Sequence, residues 1–151
     1  GALDAVEVAT DLHKVVFTKA NEVPGRFGDG VGFNADARRT LVVPDIASFD
    51  STDRTVELWV RLYSYGGYTV VAGRGPKTAG HWEVYVNPSG NLCYYVKTST
   101  DDNIGESSTF VADGAWHFVS LRIGAGAVSL SMDGANRKWS TESERSGFKI
   151  S

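Results

Sequence analysis

The stretch DGAWHFVSLRI, residues 113–123, places a turn dipeptide directly before a run of alternating side chains. Asp-Gly pairs favour tight turns, because both residues tolerate backbone conformations that most residues avoid. Successive side chains of a strand point to opposite faces, so one face of this run carries His117, Val119, Leu121 and Ile123. The stretch therefore predicts a strand that begins at a turn and buries an aliphatic face.

His117 shares that aliphatic face, which favours a structural role over a catalytic one. A general base needs a carboxylate or a nucleophile beside it, and this strand supplies neither. We expect a buried, neutral imidazole that is hydrogen-bonded near the end of a sheet.

Alternation recurs along the chain. TVELWVRLYSY, residues 55–65, carries aliphatic residues on one face and charged and aromatic residues on the other. Further short apolar stretches are HWEVYV (81–86), LCYYVKT (92–98) and AVSLSMDG (127–134), whereas STDDNIGESS (99–108) is predicted to be a polar loop. With 17 glycines and no stretch typical of a long helix, the chain is predicted to be all-β, a two-sheet antiparallel β-sandwich.

Composition excludes several classes of partner. The net charge is −3, with 15 Lys and Arg scattered among 18 Asp and Glu, so no basic patch for nucleic acid is expected. No apolar run of about 18 residues exists, which argues against membrane insertion. Cys93 is the only cysteine and excludes an internal disulfide. The acidic N-terminus lacks the features of a signal peptide, so the protein is either cytosolic or has lost a leader.

The order of the motifs VPGRFGDGVGF, LVVPD, TVELWVRL, VVAGRG, WEVYVNPSGNLCYYV, DGAWHFVSLRI and VSLSMDG resembles laminin-G-like, concanavalin A-like jelly-roll domains, which are common in secreted bacterial proteins. The resemblance covers residues 15–136 and implies one jelly-roll domain over residues 1–151, with a tail at 137–151. It also implies an extracellular or cell-surface location. Similar domains usually close with a further strand that this sequence lacks, so we expect a fragment or a variant without its last strand.

The resemblance also implies a calcium site. FNADARR stands where similar domains often read Phe-Asp-Gly-x-Asp, which carries the ligand role over to Asn34 and Asp36. Here Asn34-Ala35 replaces the usual Asp-Gly, and calcium is the one cofactor that we expect.

Aromatic and polar residues on the outward strand faces predict a carbohydrate-binding surface. Rings of this kind stack on a pyranose, while polar neighbours hydrogen-bond its hydroxyls. The predicted ligand-binding residues are Trp59, Arg61, Tyr63, Tyr65, Tyr68, His81, Glu83, Tyr85 and Asn87. We therefore predict a non-catalytic, lectin-like module that binds a glycan weakly and is appended to a larger secreted protein or enzyme.

Two other functions remain open on the sequence. The first is a jelly-roll polysaccharide hydrolase or lyase that uses Glu57, Glu83, His81 and Tyr85, where Glu57 and Glu83 would form the carboxylate pair if their strands were neighbours. The second is a domain for protein–protein adhesion, or one with a purely structural role.

Overall fold

The computed structural model describes residues 4–6, 14–16, 22–33, 51–63, 66–124 and 126–136, and these ranges contain strands, turns and bends but no helix. The chain divides into two compact units, Gly1–Asp50 and Ser51–Ser151. The candidate calcium ligands Asn34 and Asp36 and the predicted tail at 137–151 lie outside the described residues. The prediction of a single domain over residues 1–151 accordingly stays a prediction.

The first unit contains two antiparallel strand pairs. Strand β1 (Asp4–Val6) pairs with β2 (Lys14–Val16), and β3 (Glu22–Pro24) pairs with β4 (Asp29–Val31). The turn between β3 and β4 is closed by a 2.8 Å hydrogen bond from the Gly25 N–H to the Gly28 carbonyl.

The second unit contains two four-stranded antiparallel sheets. Its strands are β5 (Arg54–Arg61), β6 (Thr69–Arg74), β7 (Trp82–Val86), β8 (Asn91–Lys97), β9 (Asp102–Phe110), β10 (Trp116–Gly124), β11 (Ala127–Met132) and β12 (Ala135–Asn136). The strand order is β12-β11-β10-β5 in one sheet, the β5/β10 sheet, and β6-β7-β8-β9 in the other, the β7/β8 sheet.

The hydrophobic core lies between these two sheets. On the β5/β10 sheet, Val119 stands opposite Leu58 on β5 and Met132 on β11, so the aliphatic face predicted from the alternation is continuous across three strands. The β7/β8 sheet contributes the inward set Val84, Val86, Leu92, Tyr94 and Val96 to the same buried cluster. Burial of apolar surface from both sheets is what holds the sandwich together. The predicted antiparallel β-sandwich is confirmed.

Strand β9 corrects the predicted polar loop at residues 99–108. Its inward positions are Asn103, Gly105 and Ser107, which are all buried although none is aliphatic. The Ser107 hydroxyl donates a 2.6 Å hydrogen bond to the Leu92 carbonyl, which satisfies the hydroxyl inside the sandwich. Because the inward set is small or polar, hydrophobic alternation does not reveal this strand.

No helix in the described ranges is long and apolar enough to cross a membrane.

Candidate functional site

The structure separates the predicted ligand-binding residues into two groups on different sheets. Trp59 and Arg61 lie on the outward face of β5, and Tyr63 follows directly. Glu83 and Tyr85 lie on the outward face of β7. Since the two sheets bury their inner faces against each other, these outward faces point away from each other. The residues therefore form two surfaces and not one, and their role in ligand binding stays a prediction.

The remaining predicted residues belong mostly to the second group. Tyr68 precedes β6, His81 and Asn87 flank β7, and Tyr65 lies outside the described residues. We call the first group, completed by two residues of β10, the aromatic platform: Trp59, Arg61, Tyr63, Trp116 and Phe118. We call the second group, completed by residues of β8 and β9, the tyrosine–carboxylate face: Tyr68, Glu83, Tyr85, Tyr95 and Glu106.

Strand pairing assembles the aromatic platform. Phe118 of β10 stands directly opposite Trp59 of β5, and Trp116 stands opposite Arg61. The rings of Trp59 and Phe118 are tilted by 49° with centroids 5.4 Å apart, a favourable aromatic geometry. Trp59 is 39% exposed and Tyr63 is 71% exposed, so both rings remain accessible to a ligand.

Arg61 is held in one orientation by two contacts. Its Nε–H donates a 2.8 Å hydrogen bond to the Gly114 carbonyl, and its guanidinium carbon lies 4.7 Å from the centroid of the Tyr63 ring. Gly114 adopts a φ of 80°, which suits glycine, and its N–H donates a 2.8 Å hydrogen bond to the Leu62 carbonyl. The Asp113-Gly114 turn thus supports the end of the platform.

His117 connects the Asp113-Gly114 turn to a second turn through hydrogen bonds. Its Nε2 lies 3.0 Å from Asp113 Oδ1, and its Nδ1 lies 2.8 Å from Asp133 Oδ2, in the Asp133-Gly134 turn. A backbone hydrogen bond strengthens this connection, because the Phe118 N–H donates a 2.9 Å hydrogen bond to Asp133 Oδ1. His117 is buried, as predicted, but it is flanked by two carboxylates rather than by none.

The two carboxylates change the expected charge of the imidazole. Burial lowers the pKa of His117, but the hydrogen bonds to Asp133 and Asp113 outweigh burial and leave the pKa above its usual value. The Ala115 N–H and then His117 hold the pKa of the Asp113 carboxyl below its usual value. The predicted neutral imidazole is therefore corrected: this site favours the imidazolium, which can donate to both carboxylates at once.

Residues of the tyrosine–carboxylate face contact one another. Tyr85 is only 7% exposed, its hydroxyl donates a 3.4 Å hydrogen bond to Glu106 Oε1, and the Tyr68 ring centroid lies 6.0 Å from its own. His81 is buried, with Nδ1 3.0 Å from the Gly75 carbonyl and Nε2 3.1 Å from Glu83 Oε1. His81 is therefore a buried neighbour of Glu83 and not an exposed ligand-binding group.

Tyr95 is similarly occupied. Its hydroxyl donates a 2.8 Å hydrogen bond to Asp102 Oδ1, which also lies 2.6 Å from Lys97 Nζ. The hydrogen bond from Lys97 holds the pKa of the Asp102 carboxyl below its usual value. The Lys77 ammonium lies 5.4 Å from the Tyr95 ring centroid and 4.0 Å from Glu83 Oε1. Of the rings on this face, Tyr68 is the one with a large exposed area, at 70%.

Asn87 forms part of a turn. Its side-chain oxygen accepts hydrogen bonds of 3.1 Å from the N–H groups of Ser89 and Asn91, which closes the hairpin between β7 and β8. The side chain is buried, so the structure gives it a local structural role.

The predicted carboxylate pair is not assembled. Glu57 lies on the outward face of β5 and accepts a 3.5 Å hydrogen bond from the Ser120 hydroxyl, whereas Glu83 lies on the outward face of the other sheet. A retaining glycosidase needs its two carboxyl groups about 5 Å apart. Because β5 and β7 belong to different sheets, the condition for a Glu57–Glu83 pair, that their strands are neighbours, is not met.

No group of three or more His, Cys, Asp or Glu residues suited to hold a metal ion occurs within the described part of the chain. Since Asn34 and Asp36 lie outside that part, calcium binding at these residues stays a prediction.

The sequence alone does not identify every residue of the aromatic platform, because some of these residues meet neighbours that are distant in the chain. Alternation assigns Trp116 and Phe118 to an outward face, but only the pairing of β5 with β10 places them beside Trp59 and Arg61. The two Asp-Gly turns are visible in the sequence, yet their convergence on His117 follows from the hairpin of β10 and β11.

A laminin G family model, described as the concanavalin A-like lectin/glucanases superfamily, matches residues 36–149. Comparison with curated proteins and with solved structures gave no significant match. The matched range covers more than half of the 151 residues and agrees with the sandwich of two antiparallel sheets. The chain therefore belongs to the concanavalin A-like lectin/glucanases superfamily.

Proposed function

We propose that this chain is a non-catalytic module that binds carbohydrate on the aromatic platform. One observation carries the proposal: the exposed rings of Trp59, on β5, and Tyr63, just beyond its end, are two residues before and after Arg61, whose guanidinium carbon lies 4.7 Å from the centroid of the Tyr63 ring. Membership of a superfamily that includes lectins supports a carbohydrate-binding or related module in general.

Exposed rings suit sugars because the axial C–H groups of a pyranose form an apolar surface that stacks on an aromatic ring. Trp59 and Tyr63 are four residues apart, so their α-carbons are separated by at most roughly 14 Å, the span of four fully extended residues. An oligosaccharide can span both rings, whereas a monosaccharide reaches only one. Two or three such contacts correspond to about −4 to −6 kcal/mol, or tens of micromolar to millimolar affinity.

Weak binding by one module suits an accessory role. When several modules or an attached enzyme engage one polysaccharide, the second contact becomes intramolecular and the apparent affinity rises steeply. We therefore propose that the module works at the cell surface or outside the cell, within a larger secreted protein.

Catalysis is not part of the proposal, because the platform lacks an acid and base pair. The carboxylate nearest to the platform on β5 is that of Glu57. The residue directly opposite it on β10 is Ser120, which is not an acid. A hydrolase would require such a pair on one face.

The test compares three aromatic substitutions across a panel of soluble oligosaccharides. Tyr68→Ala is the matched control, since Tyr68 is as exposed as Tyr63 but lies on the other sheet. By isothermal titration calorimetry, Trp59→Ala and Tyr63→Ala should each weaken binding about 5- to 10-fold, while Tyr68→Ala leaves it unchanged.

The opposite pattern would move the site to the tyrosine–carboxylate face. Appearance of a cleaved product during the titration would contradict the non-catalytic role, and loss of that product in Glu83→Gln would identify the hydrolase or lyase function instead. Absence of binding to every glycan would favour the adhesion or structural role.

A further inference from the structure

Arg61 is unusual among the platform residues, because its orientation is fixed while its two terminal amino groups are unused. Its contacts include the Nε–H bond to Gly114 and the stacking on Tyr63. Neither Nη group makes a hydrogen bond or an ion pair with any described side chain or backbone atom, and the side chain is exposed. A planar, preoriented guanidinium of this kind presents two parallel donors.

We propose that the ligand of the aromatic platform is an acidic glycan, and that Arg61 binds its carboxylate or sulfate group through both Nη atoms. The inference rests on the proposed carbohydrate-binding function and names the class of ligand for that same surface. Paired N–H donors match the geometry of two oxygens on a carboxylate or sulfate, and each such charge-assisted hydrogen bond is roughly twice as strong as a neutral one. Trp59 and Tyr63 then stack on the sugar rings on either side.

Nearby acids do not compete for the guanidinium. Asp113, in the turn that Arg61 contacts, uses Oδ1 for the Ala115 N–H and for His117 Nε2. Asp133 is likewise bonded to His117 and to the Phe118 N–H. The imidazolium favoured at His117 partly neutralises Asp113 and Asp133. The electrostatic potential at Arg61 is therefore less negative than these two carboxylates alone would make it.

Arg122 offers a matched control on the same sheet. It is exposed and lies on the outward face of β10, opposite Thr55, which is six residues or roughly 20 Å along the strand from Arg61. No ring or hydrogen-bond acceptor among the described residues orients it. A general attraction of acidic glycans to positive charge would involve Arg122 as much as Arg61.

Three soluble probes separate the possibilities: an oligogalacturonate for carboxylates, a sulfated dextran oligosaccharide for sulfates, and unmodified dextran oligosaccharide as the neutral probe. The wild-type chain should bind at least one acidic probe about 10-fold or more tightly than the neutral one, and added salt should weaken that preference. Arg61→Gln should reduce acidic binding about 10- to 100-fold and neutral binding much less, while Arg122→Gln leaves both unchanged.

Arg61→Lys tests the role of the two parallel Nη donors, because lysine keeps the charge but not the paired donors. We expect it to lose most of the acidic preference. Thermal melting of each variant checks that the platform still folds, and Arg61→Lys with a wild-type melting temperature keeps the test valid if Arg61→Gln is unstable.

Each other outcome overturns a defined statement. Equal binding of neutral and acidic probes, with wild-type ratios in Arg61→Gln, overturns the acidic-glycan inference and leaves the carbohydrate-binding proposal intact. Equal losses in Arg61→Gln and Arg122→Gln overturn the specific role of Arg61. Binding of none of the probes, together with none of the oligosaccharide panel, overturns the carbohydrate-binding proposal and the inference that rests on it.

Discussion

At His117, one side chain links two turns that are far apart in the sequence. Alternation correctly predicted its burial, and the residue is 9% exposed. Its charge was not predictable in the same way, because Asp133 reaches it only through the pairing of β10 with β11. Asp113 precedes the strand by three residues, but whether its carboxylate turns towards the ring depends on the conformation of the turn.

Removal of one carboxylate should lower the pKa of His117. Asp133→Asn keeps the side-chain oxygen that accepts from the Phe118 N–H, and asparagine tolerates the φ of 54° found at Asp133. The substitution therefore removes charge with little change of shape. In an NMR titration, the His117 midpoint should lie above 6.5 in the wild type and move downwards in Asp133→Asn.

The same shift has a consequence for stability with a definite sign. Because the folded-state pKa of His117 is raised, its contribution is fully present below the unfolded value near 6.5 and is lost as the pH rises through the folded value. The difference in unfolding free energy between wild type and Asp133→Asn should therefore be largest near pH 6 and shrink above it. A His117 midpoint that stays unchanged in Asp133→Asn would contradict this explanation.

At the scale of strands, hydrophobic alternation identified β5, β7, β10 and β11 but not β9. The inward face of β9 is lined by small or polar residues because Tyr94, on the neighbouring strand, is large and fully buried. Gly105 pairs with Tyr94, and the tyrosine ring occupies the space that a side chain at position 105 would need. A strand that accommodates a large neighbour in this way carries no apolar signal of its own.

Gly105→Ala should therefore destabilise the fold. A glycine-to-alanine change without a clash stabilises by about 0.4–1 kcal/mol, since it restricts the unfolded chain. Here the added methyl group overlaps the Tyr94 ring, and overpacking of this kind costs about 1–3 kcal/mol. The urea midpoint should fall, while Ser108→Ala, an exposed change on the same strand, should leave it within about 0.5 kcal/mol. An unchanged or higher midpoint for Gly105→Ala would show that the ring moves aside freely.

At the scale of the whole molecule, the sequence determines the fold class more readily than it determines the candidate site. The all-β sandwich follows from local alternation and from turns, and both are patterns within a few consecutive residues. The division of the predicted ligand residues does not, because β5 pairs with β10 rather than with β6, its neighbour in the chain. Trp59 and Tyr68 are close in sequence and similar in chemistry, yet Trp59 lies on the β5/β10 sheet whereas Tyr68 contacts Tyr85 of the β7/β8 sheet.

Stability of the described sandwich rests on its core, since the single cysteine excludes an internal disulfide. Cys93 lies on β8 with a fully buried side chain, and its thiol donates a 3.4 Å hydrogen bond to the Asn91 carbonyl. Burial raises the pKa of the Cys93 thiol to about 11. The thiol is therefore both covered and protonated while the protein is folded.

Cys93 pairs with Tyr85 and Glu106, so it lies on the outward side of the β7/β8 sheet, and its labelling should report the uncovering of strand β8. At pH 8 a pKa of about 11 leaves about one thiol in a thousand ionised, against roughly a quarter in an unfolded chain with the ordinary pKa near 8.5. Reaction with a chromogenic disulfide reagent should be slow in buffer, and the logarithm of its rate should rise with urea with the slope of global unfolding. Cys93→Ala combined with Ser108→Cys moves the thiol to an exposed position and should react at once. A rate that is fast in buffer, or that is insensitive to urea below the unfolding transition, would show instead that the side chains covering Cys93 move aside locally, without unfolding of the core.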